Sequence, residues 1–165
     1  MDAMANLKHS CTAAAVVAAV TIGAGVFTAT PASAAGRVAI ENVADELFLT
    51  ADGDVLLTGK YNGADQDWVL ISPPGAATGV YQIQLDGTKR CVKAVANNDV
   101  QMANCAANPG KPQRWKVDLS GRARPIESRQ YPGHVLHNDA GIVGLRPAGH
   151  DLDEQKWLLG RPPLG

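Results

Sequence analysis

All three tryptophans of this 165-residue chain lie in one recurring tripeptide, which reads Gln66-Asp67-Trp68, Gln113-Arg114-Trp115 and Gln155-Lys156-Trp157. The copies stand 47 and 42 residues apart, a period typical of internal repeats. In phase with them, three isoleucines recur at an equal spacing of 43 residues: Ile40, Ile83 and Ile126. The chain is therefore predicted to contain a threefold repeat.

Each third of the chain repeats one order of short apolar runs and turns. An apolar pair follows eight or nine residues after the isoleucine, as Phe48-Leu49, Cys91-Val92 and Val135-Leu136. A turn-rich segment comes next, and then an alternating run that reads Val55-x-Leu57, Val100-x-Met102 and Val143-x-Leu145. Such runs between Asp-Gly and Asn-Asp turns predict strands and hairpins. About four strands per third give an all-β domain of roughly twelve strands.

The Gln-x-Trp unit has a physical logic within such strands. Residues two apart in a strand point to the same face, so each glutamine and tryptophan should face inward. The residues between them, Asp67, Arg114 and Lys156, should then face water. A tryptophan buries a large apolar surface, and a glutamine amide satisfies backbone groups where the strand leaves a loop. Three such units predict a core of three tryptophans.

The first 34 residues are predicted to be a secretory signal peptide. Lys8 and His9 form a basic start, residues 12–27 are a run rich in Ala, Val and Gly, and Ala32-Ser33-Ala34 is a small-x-small cleavage signal. The run is shorter than the roughly 20 residues that span a bilayer. We expect a secreted, extracellular protein whose residues 35–165 form one domain, with repeats near 36–79, 80–122 and 123–165.

Two cysteines, Cys91 and Cys105, remain after that cleavage. An even pair in an exported chain predicts a disulfide. It would close a loop of about 15 residues and stabilise the domain by about 3 kcal/mol in the chain-entropy model.

The charge is nearly balanced overall but unevenly spread. The net charge of −1 argues against general nucleic-acid binding, which requires a basic surface. Residues 36–79 carry seven acidic and two basic groups, whereas residues 80–130 carry four acidic and nine basic groups. The central third is either an ordinary dipolar surface or a face for an anionic partner.

With these repeats in view, the chain resembles the ricin-B-type β-trefoil lectin family, whose members carry three Gln-x-Trp repeats. The resemblance covers residues 36 to about 162. In the middle third, Cys91-Val92-Lys93 stands where the family usually has Cys-Leu-Asp, and residues 100–105 match its Val-x-Leu-x-x-Cys. The resemblance implies a six-stranded barrel capped by three hairpins, with pseudo-threefold symmetry, and it supports a bridge between Cys91 and Cys105.

The resemblance also implies one shallow sugar pocket in each repeat. Such a pocket uses an Asp after the Cys-Leu pair, an aromatic platform on the next hairpin strand and an Asn just before the Gln. A carboxylate accepts sugar hydroxyls, and an aromatic face covers the apolar side of the ring. Here the Asp position reads Thr50, Lys93 and His137, the platform position Thr58, Ala103 and Arg146, and the Asn position Asp65, Pro112 and Glu154. No repeat keeps the full set.

Altered pockets are nevertheless candidates for ligand binding. The first repeat offers an acidic cluster with one aromatic residue, which is either a site for a neutral sugar or a set of solvated turns: Asp52, Tyr61, Asn62 and Asp65. In the second repeat Lys93 replaces an acceptor with a cation, beside Lys89 and Arg90. That change favours an acidic glycan over a neutral galactoside, unless the loop is simply exposed. His137 takes the same position in the third repeat.

Catalysis, cofactors and metals are not predicted. The sequence has no Gly-x-Ser-x-Gly, no free cysteine with a partnered histidine and no phosphate-binding glycine loop. The histidines and carboxylates of the third repeat match no closed zinc pattern. We therefore expect a protein that is not an enzyme and that has no cofactor and no metal site.

Two functions of different classes remain. The first is a secreted carbohydrate-binding module for a neutral or acidic glycan or polysaccharide. The second is a secreted serine-protease inhibitor, since a rigid loop that displays arginine suits a trypsin-like pocket. The inhibitor hypothesis depends on the basic connection from Arg122 to Pro132 and on Arg90, which the adjacent Cys91 tethers.

Overall fold

The computed structural model describes residues 36–163, and the predicted signal peptide lies outside the described residues. Each third contributes four strands. The first third forms β1 Ala39–Asn42, β2 Phe48–Asp52, β3 Val55–Gly59 and β4 Trp68–Ile71. The second forms β5 Val80–Leu85, β6 Arg90–Ala96, β7 Asp99–Asn104 and β8 Trp115–Lys116. The last forms β9 Glu127–Ser128, β10 His134–Asp139, β11 Ile142–Pro147 and β12 Trp157–Gly160.

Six of these strands close into a barrel. Antiparallel pairing joins β4 to β5, β5 to β8, β8 to β9, and β12 to β1. Two single bridges complete the ring, one between Val38 and Trp68 and one between Arg124 and Trp157. A closed ring leaves no open sheet edge. The expected all-β architecture of twelve strands is confirmed. No helix in the described part of the chain has the length and apolarity to cross a membrane.

The other six strands form three hairpins that cap the barrel and contact one another in a cycle. In each contact the turn of one hairpin accepts a hydrogen bond from the second strand of the next hairpin. The three bonds are Met102 N to Asp54 O at 2.9 Å, Leu145 N to Asn98 O at 3.3 Å, and Thr58 N to Gly141 O at 2.9 Å. The cap therefore repeats the threefold symmetry of the barrel in its backbone hydrogen bonds.

The three tryptophans form the centre of the core, as the sequence predicts. Trp68, Trp115 and Trp157 are each 0% exposed. The three repeating isoleucines are buried around them. Each indole N–H donates to a backbone carbonyl of the apolar pair of its own repeat, at 3.0, 3.0 and 3.1 Å for Leu49, Val92 and Leu136. The N–H group of each indole is thus hydrogen-bonded although the ring is buried away from water.

The local conformation of the Gln-x-Trp unit differs from the prediction. The glutamines are buried, but each ends a short 3-10 turn instead of lying in a strand; these turns are Ala64–Gln66, Lys111–Gln113 and Asp153–Gln155. The residue between the glutamine and the tryptophan is also less exposed than the sequence predicts. The Asp67 side chain is 13% exposed and lies beside Arg37 and Tyr61, and the Lys156 side chain is 29% exposed and pairs with Asp153.

The predicted disulfide is present. Cys91 in β6 is bonded to Cys105, which directly follows β7. The bond therefore ties the two strands of the middle hairpin together at its open end. Cys91 itself is fully buried.

Candidate functional site

Each glutamine of the repeat clamps the loop that leads from a hairpin to the 3-10 turn. Its Nε2 donates to one loop carbonyl, and its Oε1 accepts from the N–H two residues later. For Gln66 these groups are Lys60 O at 2.9 Å and Asn62 N at 2.6 Å. For Gln113 and Gln155 they are Asn104 O and Ala106 N, and Pro147 O and Gly149 N, at 2.7–2.9 Å. Three surface loops are thus fixed at their start by buried amides.

The first of these loops brings three of the candidate sugar-binding residues together. Tyr61, Asn62 and Asp65 follow β3 within six residues. The Tyr61 ring packs edge-on against Phe48, with centroids 5.3 Å apart, and its hydroxyl donates to Asp67 at 2.7 Å. That hydrogen bond to a carboxylate raises the pKa of Tyr61 above its ordinary value. Asn62 and Asp65 remain exposed.

Asp52 does not lie with this group. It ends β2 at the hairpin turn, opposite Val55, whereas Tyr61 follows the far end of β3. The five-residue strand β3 places about 13 Å between them. The sequence contains no signal for this separation, because Asp52 and Tyr61 are close in the chain.

The remaining family positions of the first repeat are occupied by internal hydrogen bonds. Thr50 accepts from Gln66 Nε2 and donates to Phe48 O, both at 2.8 Å. The Thr58 hydroxyl donates to Asp45 at 2.8 Å. These hydroxyls therefore stabilise the loop and the hairpin instead of facing a ligand.

The second and third repeats present different chemistry at the equivalent positions. Lys93 lies on β6 opposite Gln101, partly buried, and forms no salt bridge with another described residue. His137 lies on β10 opposite Gly144, and its Nδ1 atom is buried without a hydrogen-bond partner in residues 36–163. Arg146, at the platform position, pairs with Asp139 at 3.3 Å.

Part of the positive charge of the middle third is displayed by two opposed arginines. The β8–β9 register places Arg114 directly across from Arg129, and Arg129 N donates to Arg114 O at 3.0 Å. Arg114 Nε is held by Pro109 O at 2.7 Å, which leaves its terminal nitrogens available. Neither arginine forms a salt bridge within the described residues. Like charges that face each other across a ladder repel, and a bound anion would relieve that repulsion.

Two of the arginines behind the inhibitor hypothesis, Arg124 and Arg90, are held by contacts with the barrel or the cap. Arg124 exchanges two backbone hydrogen bonds of 3.0 Å with Trp157, so the connection containing it is part of the barrel. Arg90 pairs with the exposed carboxylate of Asp54 and donates to Met102 O at 3.1 Å. An inhibitory loop must project its arginine away from the scaffold. This geometry does not favour the inhibitor hypothesis.

A closed six-stranded barrel, three capping hairpins in a cycle and three equivalent tryptophans define the β-trefoil class. No protein-family model matches the chain, and no curated protein matches its sequence. The fold is instead shown by solved structures. The designed threefold symmetric protein ThreeFoil is 18% identical, with 76% of this chain and 98% of ThreeFoil covered, at a TM-score of 0.61.

Two structures solved with saccharides are also similar to this chain. SeviL, in a structure bound to asialo-GM1 saccharide, is 16% identical over 76% of this chain and 97% of its own, at a TM-score of 0.58. The Polyporus squamosus lectin, bound to the epitope Neu5Aca2-6Galb1-4GlcNAc, is 15% identical over 76% of this chain and 49% of its own, at a TM-score of 0.61. At these identities the likeness concerns the fold alone.

Proposed function

We propose that the protein is a secreted carbohydrate-binding module that has no catalytic activity of its own. The observation that carries the proposal is the clamped first-repeat loop, where Gln66 fixes the segment that holds Tyr61, Asn62 and Asp65. The β-trefoil scaffold is also the scaffold of SeviL and the Polyporus squamosus lectin, whose structures contain saccharides. This second support is an analogy of fold.

The chemistry of that loop suits a neutral sugar. The Asp65 carboxylate accepts hydrogen bonds from sugar hydroxyls, and the Asn62 amide both donates and accepts. The partly buried Tyr61 ring offers an apolar surface for the C–H face of a pyranose. Because the loop is fixed before the ligand arrives, little conformational entropy is lost on binding.

The middle repeat suits an acidic glycan instead. Among the described residues, Lys93 has no carboxylate partner, and neither has Arg114 nor the opposed Arg129 at the start of the third repeat. A carboxylate or sulfate on a glycan would form charge-assisted hydrogen bonds with these cations. A neutral galactoside would find no acceptor at Lys93.

The test is a glycan screen of residues 35–165 with neutral and acidic saccharides, followed by calorimetry on the ligands found. Asp65→Asn and Asn62→Ala should each weaken neutral sugar binding by about tenfold, which corresponds to about 1.4 kcal/mol. Asp52→Asn is the matched control, because Asp52 is an exposed carboxylate of the same repeat at the other end of the hairpin. Equal effects of the Asp52 and Asp65 variants would place the sugar elsewhere.

Acidic glycans are tested with Lys93→Gln, which should lower their affinity and also its dependence on salt. The outcome that refutes the whole proposal is the absence of binding stronger than millimolar to any saccharide of the screen. Recovered ligands should be chemically unchanged by mass spectrometry, because the protein is proposed not to be an enzyme. Export is checked by N-terminal sequencing of the mature protein, which should begin at Ala35.

A further inference from the structure

The three repeats meet at three equivalent junctions. Each junction is formed by the turn of the hairpin of one repeat and by the segment that leads into the first hairpin strand of the next repeat, which is β2, β6 or β10. The residues that directly precede the apolar pair of these strands are Leu47, Arg90 and His134. The cyclic backbone hydrogen bonds of the cap show that the backbones are arranged alike at all three junctions. The side chains that fill them differ.

The junction between the first and second repeats is filled by Arg90. Its guanidinium pairs with the Asp54 carboxylate and donates to Gly53 O at 3.4 Å and Met102 O at 3.1 Å. The hairpin turn, the incoming strand and the neighbouring hairpin are thus joined by one side chain. No open space remains for a ligand at the position that the guanidinium occupies.

The junction between the third and first repeats is closed by a polar network. Asp45 accepts from Thr58 Oγ1 at 2.8 Å and from Asn138 Nδ2 at 2.6 Å. Asn138 Nδ2 also lies 3.2 Å from Asn42 Oδ1. Asn42 and Asn138 are 0% and 4% exposed, so this junction is packed.

The junction between the second and third repeats remains open. His134 stands where Arg90 stands in the preceding repeat, and a broad, open cleft of about 620 Å³ lies beside it. The hairpin side of the cleft contains Val95, Ala96 and Asn97, and the opposite side Gln130, Tyr131 and His134.

The walls of the cleft are held in place by the fold. Tyr131 OH donates to Val95 O at 3.3 Å, and the Tyr131 and His134 rings pack edge-on with centroids 6.3 Å apart. Gln130 N donates to Ser128 Oγ at 3.2 Å. The Nδ1 atom of His134 is buried and has no hydrogen-bond partner within residues 36–163.

We propose that this open junction binds a neutral saccharide and is separate from the pockets within the repeats. Its lining contains no Asp, Glu, Lys or Arg, so it offers a charged ligand no charge-assisted hydrogen bond from these groups. Asn97 and Gln130 both line the cleft and carry amides that suit sugar hydroxyls, and Tyr131 offers an aromatic surface to the ring. The ligand class rests on the proposed function, whereas the position of the site rests on the open junction.

The test is a titration of ¹⁵N-labelled residues 35–165 with lactose, chitobiose, cellobiose and xylobiose, followed by NMR. At least one of these neutral disaccharides should shift the side-chain amides of Asn97 and Gln130. His134→Arg should place a guanidinium in the cleft, as Arg90 does at the first junction, and should weaken binding there at least tenfold. The same variant should leave the response of the Tyr61 and Asn62 loop unchanged. Its spectrum also reports whether the fold is kept.

Asn97→Ala provides a second variant, because it removes one amide without filling the cleft and should also weaken the response of Gln130. Shifts at the first-repeat loop alone, or binding of acidic glycans alone, would overturn this site while leaving the proposed function intact. The absence of any saccharide response would overturn both. A cleft response that persists unchanged in His134→Arg would also overturn the assignment.

Discussion

The cyclic packing of the three hairpins predicts a severe and local effect of one methyl group at Gly144. This glycine lies in β11, where the strand crosses the turn of the β6–β7 hairpin. A Cβ atom at Gly144 would stand 2.9 Å from the backbone oxygen of Asn98, closer than real Cβ atoms approach. The same oxygen accepts a hydrogen bond from Leu145 N. Gly144→Ala must therefore displace the second hairpin or break that contact.

The magnitude follows from the geometry. Overpacking against an atom that cannot rotate away costs about 1–3 kcal/mol. Loss of glycine freedom in the unfolded chain offsets about 0.4–1 kcal/mol of this. Gly160→Ala in β12 is the matched control, because its Cβ would meet nothing within 4 Å. The control should be neutral or slightly stabilising, which leaves a difference of about 2 kcal/mol between the two variants.

Thermal unfolding followed by circular dichroism measures this difference. One kcal/mol corresponds to about 4 °C in a domain of this size, so the midpoints should differ by about 8 °C. Urea unfolding should give the same order of stability without a change in slope. If Gly144→Ala is as stable as Gly160→Ala, the hairpin contact at Asn98 is not formed as described. Because Asn97 borders the open junction, Gly144→Ala should also weaken the saccharide response there.

Three further predictions concern the core, the disulfide and pH. Trp115→Phe should lower the free energy of unfolding by about 2–4 kcal/mol in urea, since it leaves a cavity and removes the indole donor of Val92 O; a loss well below 1 kcal/mol would contradict this. Reduction of the disulfide should cost about 3 kcal/mol in the same assay, and an unchanged midpoint would count against its structural role. The hydrogen bond from Tyr61 to Asp67 raises the pKa of Tyr61, so its contribution to stability should be complete below pH about 10 and lost as pH rises through the folded-state pKa. Alkaline titration at 295 nm should accordingly lose, in Tyr61→Phe, one phenol that ionises above its ordinary pKa.

Much of the fold was predictable because its signals repeat along the chain. The equal spacing of Ile40, Ile83 and Ile126 and the three Gln-x-Trp units predicted a threefold all-β core, and the three tryptophans are buried in it. Cysteine parity predicted the disulfide. The predicted strand conformation of the glutamines was wrong. A 3-10 turn and a strand end both bury a residue two places before the tryptophan, so the pattern does not distinguish them.

The candidate sites were less predictable, because they depend on which distant segments meet. Asp52 and Tyr61 are near in sequence but stand at opposite ends of a hairpin, and no local pattern reports this. In the sequence, Tyr131 is only part of the basic connection from Arg122 to Pro132, and His134 is only one of the histidines of the third repeat. The missing signal was the alignment of His134 with Arg90, which becomes meaningful once both are known to face a hairpin turn.

The sequence by itself determined the threefold repeat, the buried tryptophans and the disulfide, since these follow from the number and spacing of residue types along the chain. The tertiary structure decided which junctions are filled and which is open. That choice depends on the reach of single side chains, such as Arg90 and His134, across gaps between segments about 40 residues apart. Hydrophobic periodicity specifies the face that a residue buries, but it does not specify the atoms that the residue meets there.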